Sequence, residues 1–577
     1  MNFRQAIIDG LVPLTQLQAQ AIGDLLEIPP QPQLGDYAFP CFTLAKTLRK
    51  APAVIATDLA GQLGQSLSFI DRIETSGGYL NFFIDRATLV SQTVRDTLNA
   101  GNQLGMSTLG EGQTILVEFS SPNIAKPFHV GHAFTTILGN ALAKFYQHLG
   151  YTTVRMNHLG DYGTQFGKLI VAYQLWGNEE ALNEHPIQEL LRIYVKFHDE
   201  AKEHPELETQ ARDHFRRLEA GETEQIALWQ RFRDLSLLEF ERVYQRLGVT
   251  FDNYNGESFY SDQIPAVVDW LKEKNLLEDS EGAQVVRLDE KNLPPCIILK
   301  SDGTTIYASR DIAAVLYRDR TYHFAKNIYV VGTPQALHFR QVFAVLEKAG
   351  FEKARDCIHV GFGLVKFADR KLSTRSGDVI LLEDLLAESV DKTLEIIQKN
   401  AALRHPDMTE RDMQEIAEKI GIGAVIFTFL KNSRERDIVF SWEEMLDFEG
   451  DSAPYVLYTY ARARSILRKA DQEGLSYTTC PDASLRLLAS DDEFALAKLL
   501  ESFGPTLEKA ASVHEPFMLV RLITNLARVF NKYYHHEPIL KTSDPDLRSA
   551  RLALVDAVSI GIRTGLDLLG ISSVERM

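Results

Sequence analysis

Only four cysteines occur in the 577 residues, and Cys41, Cys296, Cys357 and Cys480 stand far apart in the chain. Their scatter excludes a disulfide framework and the paired spacings of a zinc site, and it suits a reducing, cytoplasmic compartment. No HExxH motif occurs, so no structural zinc or other resident metal is expected. No apolar run approaches the roughly 20 residues needed to span a bilayer. The opening MNFRQAIIDGLVPL lacks the basic-then-apolar pattern of a secretion signal, so a soluble chain without a membrane partner is expected. Positive charge is in deficit: 61 Lys and Arg face 78 Asp and Glu, for a net charge of -17. Such a balance ordinarily argues against a nucleic-acid partner, but phosphate contacts need only a local basic face. Low-complexity tracts and internal repeats are missing too, which excludes a scaffold of arrayed units.

What is present, with 45% hydrophobic residues, is enough to bury several cores, and the length predicts roughly three or four domains. Residues 1–105 mix helix-like stretches with the strand-like GGYLNFFID at 77–85 and end in NAGNQLG at 99–105, read as a linker. A second unit, 106–375, opens on a strand and a helix. Within it, about 179–245 is strongly charged and helical, an insertion whose simplest reading is a solvated face. TTVRMNHLGDYGTQFG at 152–167 is another strand that ends in a Gly-punctuated turn, and NIYVVG and CIHVGFGLV read as buried strands of the same parallel sheet. Residues 376–450 are expected to form a helical connecting region, and 451–577 a wholly helical unit.

The chemistry concentrates at 115–149. Ile115, Leu116, Val117 and Phe119 suit a buried strand, while Phe134, Leu138, Ala141, Phe145 and Leu149 recur at steps of three and four on one helix face. His129-Val130-Gly131-His132 therefore falls at a helix N-terminus, where free N–H groups and the dipole favour anions and Gly131 permits close approach to the backbone. Two imidazoles aimed at one phosphate can stabilise charge that develops during attack on it. The plainer reading is an ordinary strand-turn-helix with solvated histidines.

The string SSPNIAKPFHVGH resembles the HIGH signature of class I aminoacyl-tRNA synthetases in its arginyl-tRNA synthetase form. Lys371-Leu372-Ser373-Thr374-Arg375 resembles the second class signature, KMSKS, as a Gly-flanked basic loop able to neutralise a departing pyrophosphate. The chain departs from the family by carrying Thr374 and Ser376 where a second lysine is common, and the resemblance implies that Lys126 supplies that charge. ATP would thus be held by Lys126, His129, Gly131, His132, Lys371 and Ser373, with His129, His132 and Lys371 catalytic and Mg²⁺ carried on the triphosphate.

By the same resemblance, Tyr307, Asp311 and Gln335 match the contacts of an arginine side chain, and Glu118 and Asn123 those of its ammonium end. Tyr307 and Asp311 are four apart and share a face if helical, and a carboxylate beside a polar aromatic suits a planar guanidinium. Singly, Asp311 also suits a helix cap, Tyr307 a core position and Glu118 a solvated strand end.

The resemblance covers essentially the whole chain. It implies an α/β multidomain fold: a class I Rossmann-like parallel-sheet catalytic domain with a helical insertion, an N-terminal α+β tRNA-elbow domain, and a C-terminal all-α anticodon-binding domain. Tyr79 and Asn81 would meet a D-loop base. Tyr458, Arg462, Arg464, Tyr534 and Met577 would face the anticodon, since aromatics interleaved with arginines suit unpaired bases beside phosphates. The alternative for 455–469 is an amphipathic helix whose tyrosines pack inward. Expected partners are tRNA(Arg), L-arginine and ATP, with the chain a monomer and activation dependent on bound tRNA. Three rivals stay open. A nucleotidyltransferase would not need the aromatic-basic helix, a catalytically dead tRNA-binding protein would not need the histidines, and a synthetase for another amino acid would not need Tyr307, Asp311 and Gln335.

Overall fold

In the computed structural model, which describes residues 3–29, 31–63, 67–301, 303–367, 380–404 and 408–577, the chain begins with helices packed on a small antiparallel sheet. Its strands β1 (Tyr37–Pro40), β2 (Ile70–Ser76) and β3 (Tyr79–Ile84) lie in the order β1–β3–β2. Gly77 and Gly78 join β2 to β3 at φ of 57° and 94°, the left-handed backbone that a two-residue hairpin requires. The Arg86–Ala100 helix then packs against C-terminal helices, and Gly105, in the stretch read as a linker, lies against Phe503.

The buried run at 115–119 supplies β4 (Thr114–Glu118), and the Val130–His148 helix leads to β5 (Thr152–Met156). Helices run from Thr164 to Leu247, the Thr223–Leu247 helix being the longest of them. An antiparallel sheet of β6 (Leu277–Ser280), β7 (Ala283–Leu288) and β8 (Leu293–Leu299) follows, which the sequence reading did not anticipate. Next come the Tyr307–Tyr322 helix, β9 (Lys326–Val330), the Ala336–Lys348 helix, β10 (Cys357–Val360) and β11 (Val365–Phe367). The helices Leu382–Arg404 and Glu410–Leu430 pack together before β12 (Ile438–Phe440), which pairs in parallel with β11.

Strands β4, β5, β9 and β10 make one parallel sheet in the order β10–β9–β4–β5. Ile115, Leu116, Val117 and Ile328 are fully buried, as strands covered by helices on both faces must be. The chain crosses outward from β4 to β5 and in the opposite sense from β9 to β10, so the winding reverses between β4 and β9. At such a reversal the loops leave the strand ends in opposite directions and open a crevice at the carboxyl edge.

The C-terminal part is helical, with Ala453–Gln472, Asp491–Glu501, Phe503–Val513, Phe517–His536 and Pro545–Leu569 around one apolar core. The expected combination of an α+β N-terminal part, a parallel-sheet centre and an all-helical C-terminal part is borne out. Arg86 pairs with Asp491 at 2.8 Å, and the Tyr37 hydroxyl donates to Glu501, which ties the first part to the last.

Candidate active site

The two histidines of HVGH hold one another in place. His129 is the N-cap of the Val130–His148 helix, and its Nδ1 accepts from the Gly131 N–H at 3.0 Å; the His132 Nδ1 accepts from the His129 N–H at 3.2 Å. This reciprocal cap satisfies two of the donors that a helix N-terminus leaves open. It also decides the tautomer. With both Nδ1 atoms accepting, each neutral ring carries its proton on Nε2. Burial, then the neighbouring His129, depress the His132 pKa to about 3; burial, then Lys126, lower that of His129. The pair therefore presents neutral Nε2–H donors at neutral pH. The rings lie 4.0 Å apart, and His132 stacks on Phe128 at 5.1 Å. A Cβ on Gly131 would meet the His129 ring at 2.7 Å, so the cap itself favours a glycine there.

The turn before the helix is braced from below. Ser120 and Ser121 sit at φ of 69° and 47°, and the Ser120 hydroxyl bonds the Tyr244 hydroxyl at 2.8 Å. The Ala125 N–H donates to Ser236 Oγ at 3.1 Å. Both Ser236 and Tyr244 belong to the Thr223–Leu247 helix, so the charged helical stretch presents a buried polar face to the loop that carries HVGH. Thr135 donates to the Val330 carbonyl at 2.6 Å and accepts from the Ser120 N–H at 3.0 Å, joining the ends of β4 and β9. Lys126 and Asn123 are exposed in the same turn.

Lys371 and Ser373 lie outside the described residues. The segment that follows them pairs with HVGH itself: the Val130 N–H donates to the Ile380 carbonyl at 3.1 Å, and the Leu382 N–H to the Phe128 carbonyl at 2.9 Å.

Tyr307 and Asp311 share a face of the Tyr307–Tyr322 helix; Tyr307 is 60% exposed at its first turn, with the Arg310 guanidinium 5.6 Å from its ring. Asp311 Oδ2 accepts from His338 Nε2 at 2.5 Å. Gln335 is exposed at the start of the Ala336–Lys348 helix, which carries His338. Two turns beyond Asp311 on the same face, the fully buried Arg318 donates to Glu118 Oε2 at 2.5 Å. One helix thus reaches the end of β4 and the start of the next helix together. Sequence reading missed Arg318 and His338. His338 was visible as the histidine three residues after Gln335, whereas Arg318 was one arginine among many on charged helices.

In the C-terminal part a groove of about 870 Å³ brings together Tyr458, Arg462, Tyr534 and Met577, with Arg468 and Lys469 on its wall. The Arg462 guanidinium lies 4.8 Å from the Tyr458 ring and 5.1 Å from the Tyr534 ring. Arg464 is turned to ion pairs with Glu575 at 3.2 Å and Asp556 at 3.5 Å and does not line the groove. Tyr460, on the same helix, packs inward, as the amphipathic reading of 455–469 has it, while Tyr458 lines the groove. In the N-terminal sheet, Tyr79 meets Phe42 edge to face at 5.3 Å, and Asn81 is buried. Among the described residues no group of three or more His, Cys, Asp or Glu side chains could hold a metal ion, and no helix is long and apolar enough to cross a membrane.

The family model described as tRNA synthetases class I (R), catalytic domain, matches residues 93–442; an arginyl tRNA synthetase N terminal domain matches 1–84, and a DALR anticodon binding domain 456–577. Curated relatives named arginine–tRNA ligase, from Clostridium beijerinckii and Clostridium perfringens, are 53% and 52% identical over 577 residues, the full length of both chains in each case. Among solved structures, Thermus thermophilus arginyl-tRNA synthetase superposes with a TM-score of 0.82 at 26% identity, covering 100% of both chains. The Plasmodium falciparum enzyme shares the fold at a TM-score of 0.81 and 23% identity, covering 99% of each chain. The resemblance read from SSPNIAKPFHVGH is thereby borne out. With a catalytic-domain match over more than half its length and relatives that align from end to end, the chain belongs to the arginine-specific class I tRNA synthetases.

Proposed function

We infer that this chain is an arginine–tRNA ligase whose first step takes place in the crevice between β4 and β9. It uses ATP to join arginine to tRNA(Arg). In the first step the arginine carboxylate attacks the α-phosphate, an oxygen–phosphorus bond forms, and pyrophosphate leaves. In the second, a terminal ribose hydroxyl of the tRNA attacks the activated carbonyl, and AMP leaves. No protein nucleophile is needed, so catalysis rests on positioning and charge stabilisation.

The observation that carries this reading is the reciprocal cap of HVGH. Because each Nδ1 is occupied by a backbone N–H, His129 and His132 are left as neutral Nε2–H donors, suited to phosphoryl oxygens whose charge grows during attack. Lys126, whose charge both imidazoles sense, and Lys371 with Ser373 add to the triphosphate site, the Mg²⁺ arriving on ATP. Asp311, Tyr307 and Gln335 take the guanidinium. Glu118 keeps Oε1 for the substrate ammonium while Arg318 holds Oε2, and Asn123 assists. The groove of Tyr458, Arg462, Tyr534 and Met577 takes the anticodon loop, and Tyr79 and Asn81 the tRNA elbow. Domains run 1–105, 106–375, 376–450 and 451–577, in a monomer whose activation step waits for tRNA.

ATP–pyrophosphate exchange across the standard amino acids, with and without tRNA, tests this. Exchange with arginine alone, and only when tRNA is present, is the expected result. Exchange with another amino acid overturns the specificity, and exchange without tRNA overturns the dependence.

A further inference from the structure

Asp311 already has a partner. His338, from the first turn of the Ala336–Lys348 helix, donates Nε2–H to Asp311 Oδ2 at 2.5 Å, and both side chains are mostly buried, at 27% and 19% exposure. A guanidinium that binds a carboxylate face-on needs both oxygens. It cannot share them with an imidazolium, because two cations on one half-buried carboxylate repel. We propose that His338 is the resident partner of Asp311 in the free enzyme, and that arginine takes its place by expelling a proton from the imidazole, so that binding exchanges a guanidinium for a proton. Stripped of that proton, Nε2 turns from donor to acceptor and can receive a guanidinium N–H. The proposal rests on Asp311 being the guanidinium site, and it makes His338 a positioning residue rather than a catalytic one.

The surrounding charges allow the exchange near neutral pH. Burial, the largest influence, lowers the His338 pKa, but the hydrogen bond to Asp311 and its charge together outweigh it, and the net shift is upward. Around the pair, Cys296 on β8 is pushed up to about 12 by burial, the buried Tyr329 on β9 is raised well above its ordinary value, and burial lowers His359 on β10, which has Arg434 nearby. Cys296 and Tyr329 stay neutral between pH 6 and 8, and His359 is biased toward its neutral form. Glu257 differs: burial raises it to about 7 although Arg310 lies 3.5 Å away. It titrates in the same window and must be separated from His338.

The sign follows from linkage. Below the raised pKa of His338 arginine must displace a proton and binds more weakly; above it there is none to displace. The arginine Kd should therefore tighten as pH rises from 6 to 8, by up to about tenfold per unit where one proton is released in full.

Arginine is titrated calorimetrically into the full-length enzyme, in buffers of different ionisation heat at several pH values, for wild type, E257Q, E257Q/H338Q and D311N. The expected result is proton release in wild type and E257Q that disappears, with its pH dependence, in E257Q/H338Q. No release in wild type, or equal release in E257Q and E257Q/H338Q, overturns the role of His338 while D311N still loses arginine. Wild-type affinity in D311N overturns the pocket itself, and the proposal with it.

Discussion

Replacing His132 by Asn and by Gln separates the cap that the structure shows for this imidazole from the Nε2–H donor role proposed for it. The Asn Oδ1 sits about where Nδ1 does, so His132→Asn keeps the bond from the His129 N–H, now 3.2 Å, and loses the Nε2–H. The Gln amide reaches the Nε2 position and keeps a donor there, but it gives up the cap. Loss of a single preorganised donor to developing charge costs roughly 10²–10³ in rate, about 3–4 kcal/mol, and loss of a cap about 0.5–2 kcal/mol of stability. His132→Asn should therefore unfold within about 1 kcal/mol of wild type, apart from the lost stacking on Phe128, yet activate arginine 10²–10³ times more slowly. His132→Gln should show the reverse order of effects: lower stability and a smaller loss of rate. Because burial holds the His132 pKa at about 3, its protonation should leave no inflection in the activation rate between pH 6 and 8. The assay is pyrophosphate exchange in the presence of tRNA with kcat and KM resolved, beside urea unfolding. If His132→Asn raised KM alone and left kcat intact, the imidazole would be a ground-state ligand and the argument from transition-state charge would fail.

Arg462→Ala should lower tRNA affinity and flatten its salt dependence by up to about one slope unit, while Arg464→Ala, already paired with Glu575 and Asp556, should leave the slope unchanged; equal slopes in the two variants would contradict the assignment of the groove. Gly139→Ala should destabilise by about 1–3 kcal/mol, since its Cβ would lie 2.2 Å from Phe119 across the helix–sheet contact, and an unchanged unfolding midpoint would mean that the contact yields freely. Acid should weaken the fold: burial, then Lys326 and Arg434, depress the buried His514 to about 4, below the ordinary 6.5 of the unfolded chain, so its share of stability is complete above pH 6.5 and is lost as pH falls toward 4. His514→Gln should flatten the unfolding midpoint against pH over that range, and an unaltered profile would exclude His514 as the source.

What the sequence by itself determined is what local periodicity and chemistry determine. The alternation of apolar and helical spacing at 115–149 placed a buried strand before a helix, and the HVGH string fell at that helix's N-terminus, where the structure shows a reciprocal histidine cap. Tyr307 and Asp311, four apart, were bound to share a face once their segment was helical. The tertiary structure decided which side chain each of these meets. Glu118 suited a solvated strand-end carboxylate and is paired with Arg318, 200 residues away in the chain; Asp311 suited a helix cap and is held by His338 from the next helix. Arg462 and Arg464 are indistinguishable in the string YARAR, yet one faces the groove and the other an acidic pair, because two residues turn a helix by about 200°. A single strand or helix fixes the direction of its own side chains over a few residues. The partner across the gap is set by how separate elements pack, and that information is spread over the whole chain.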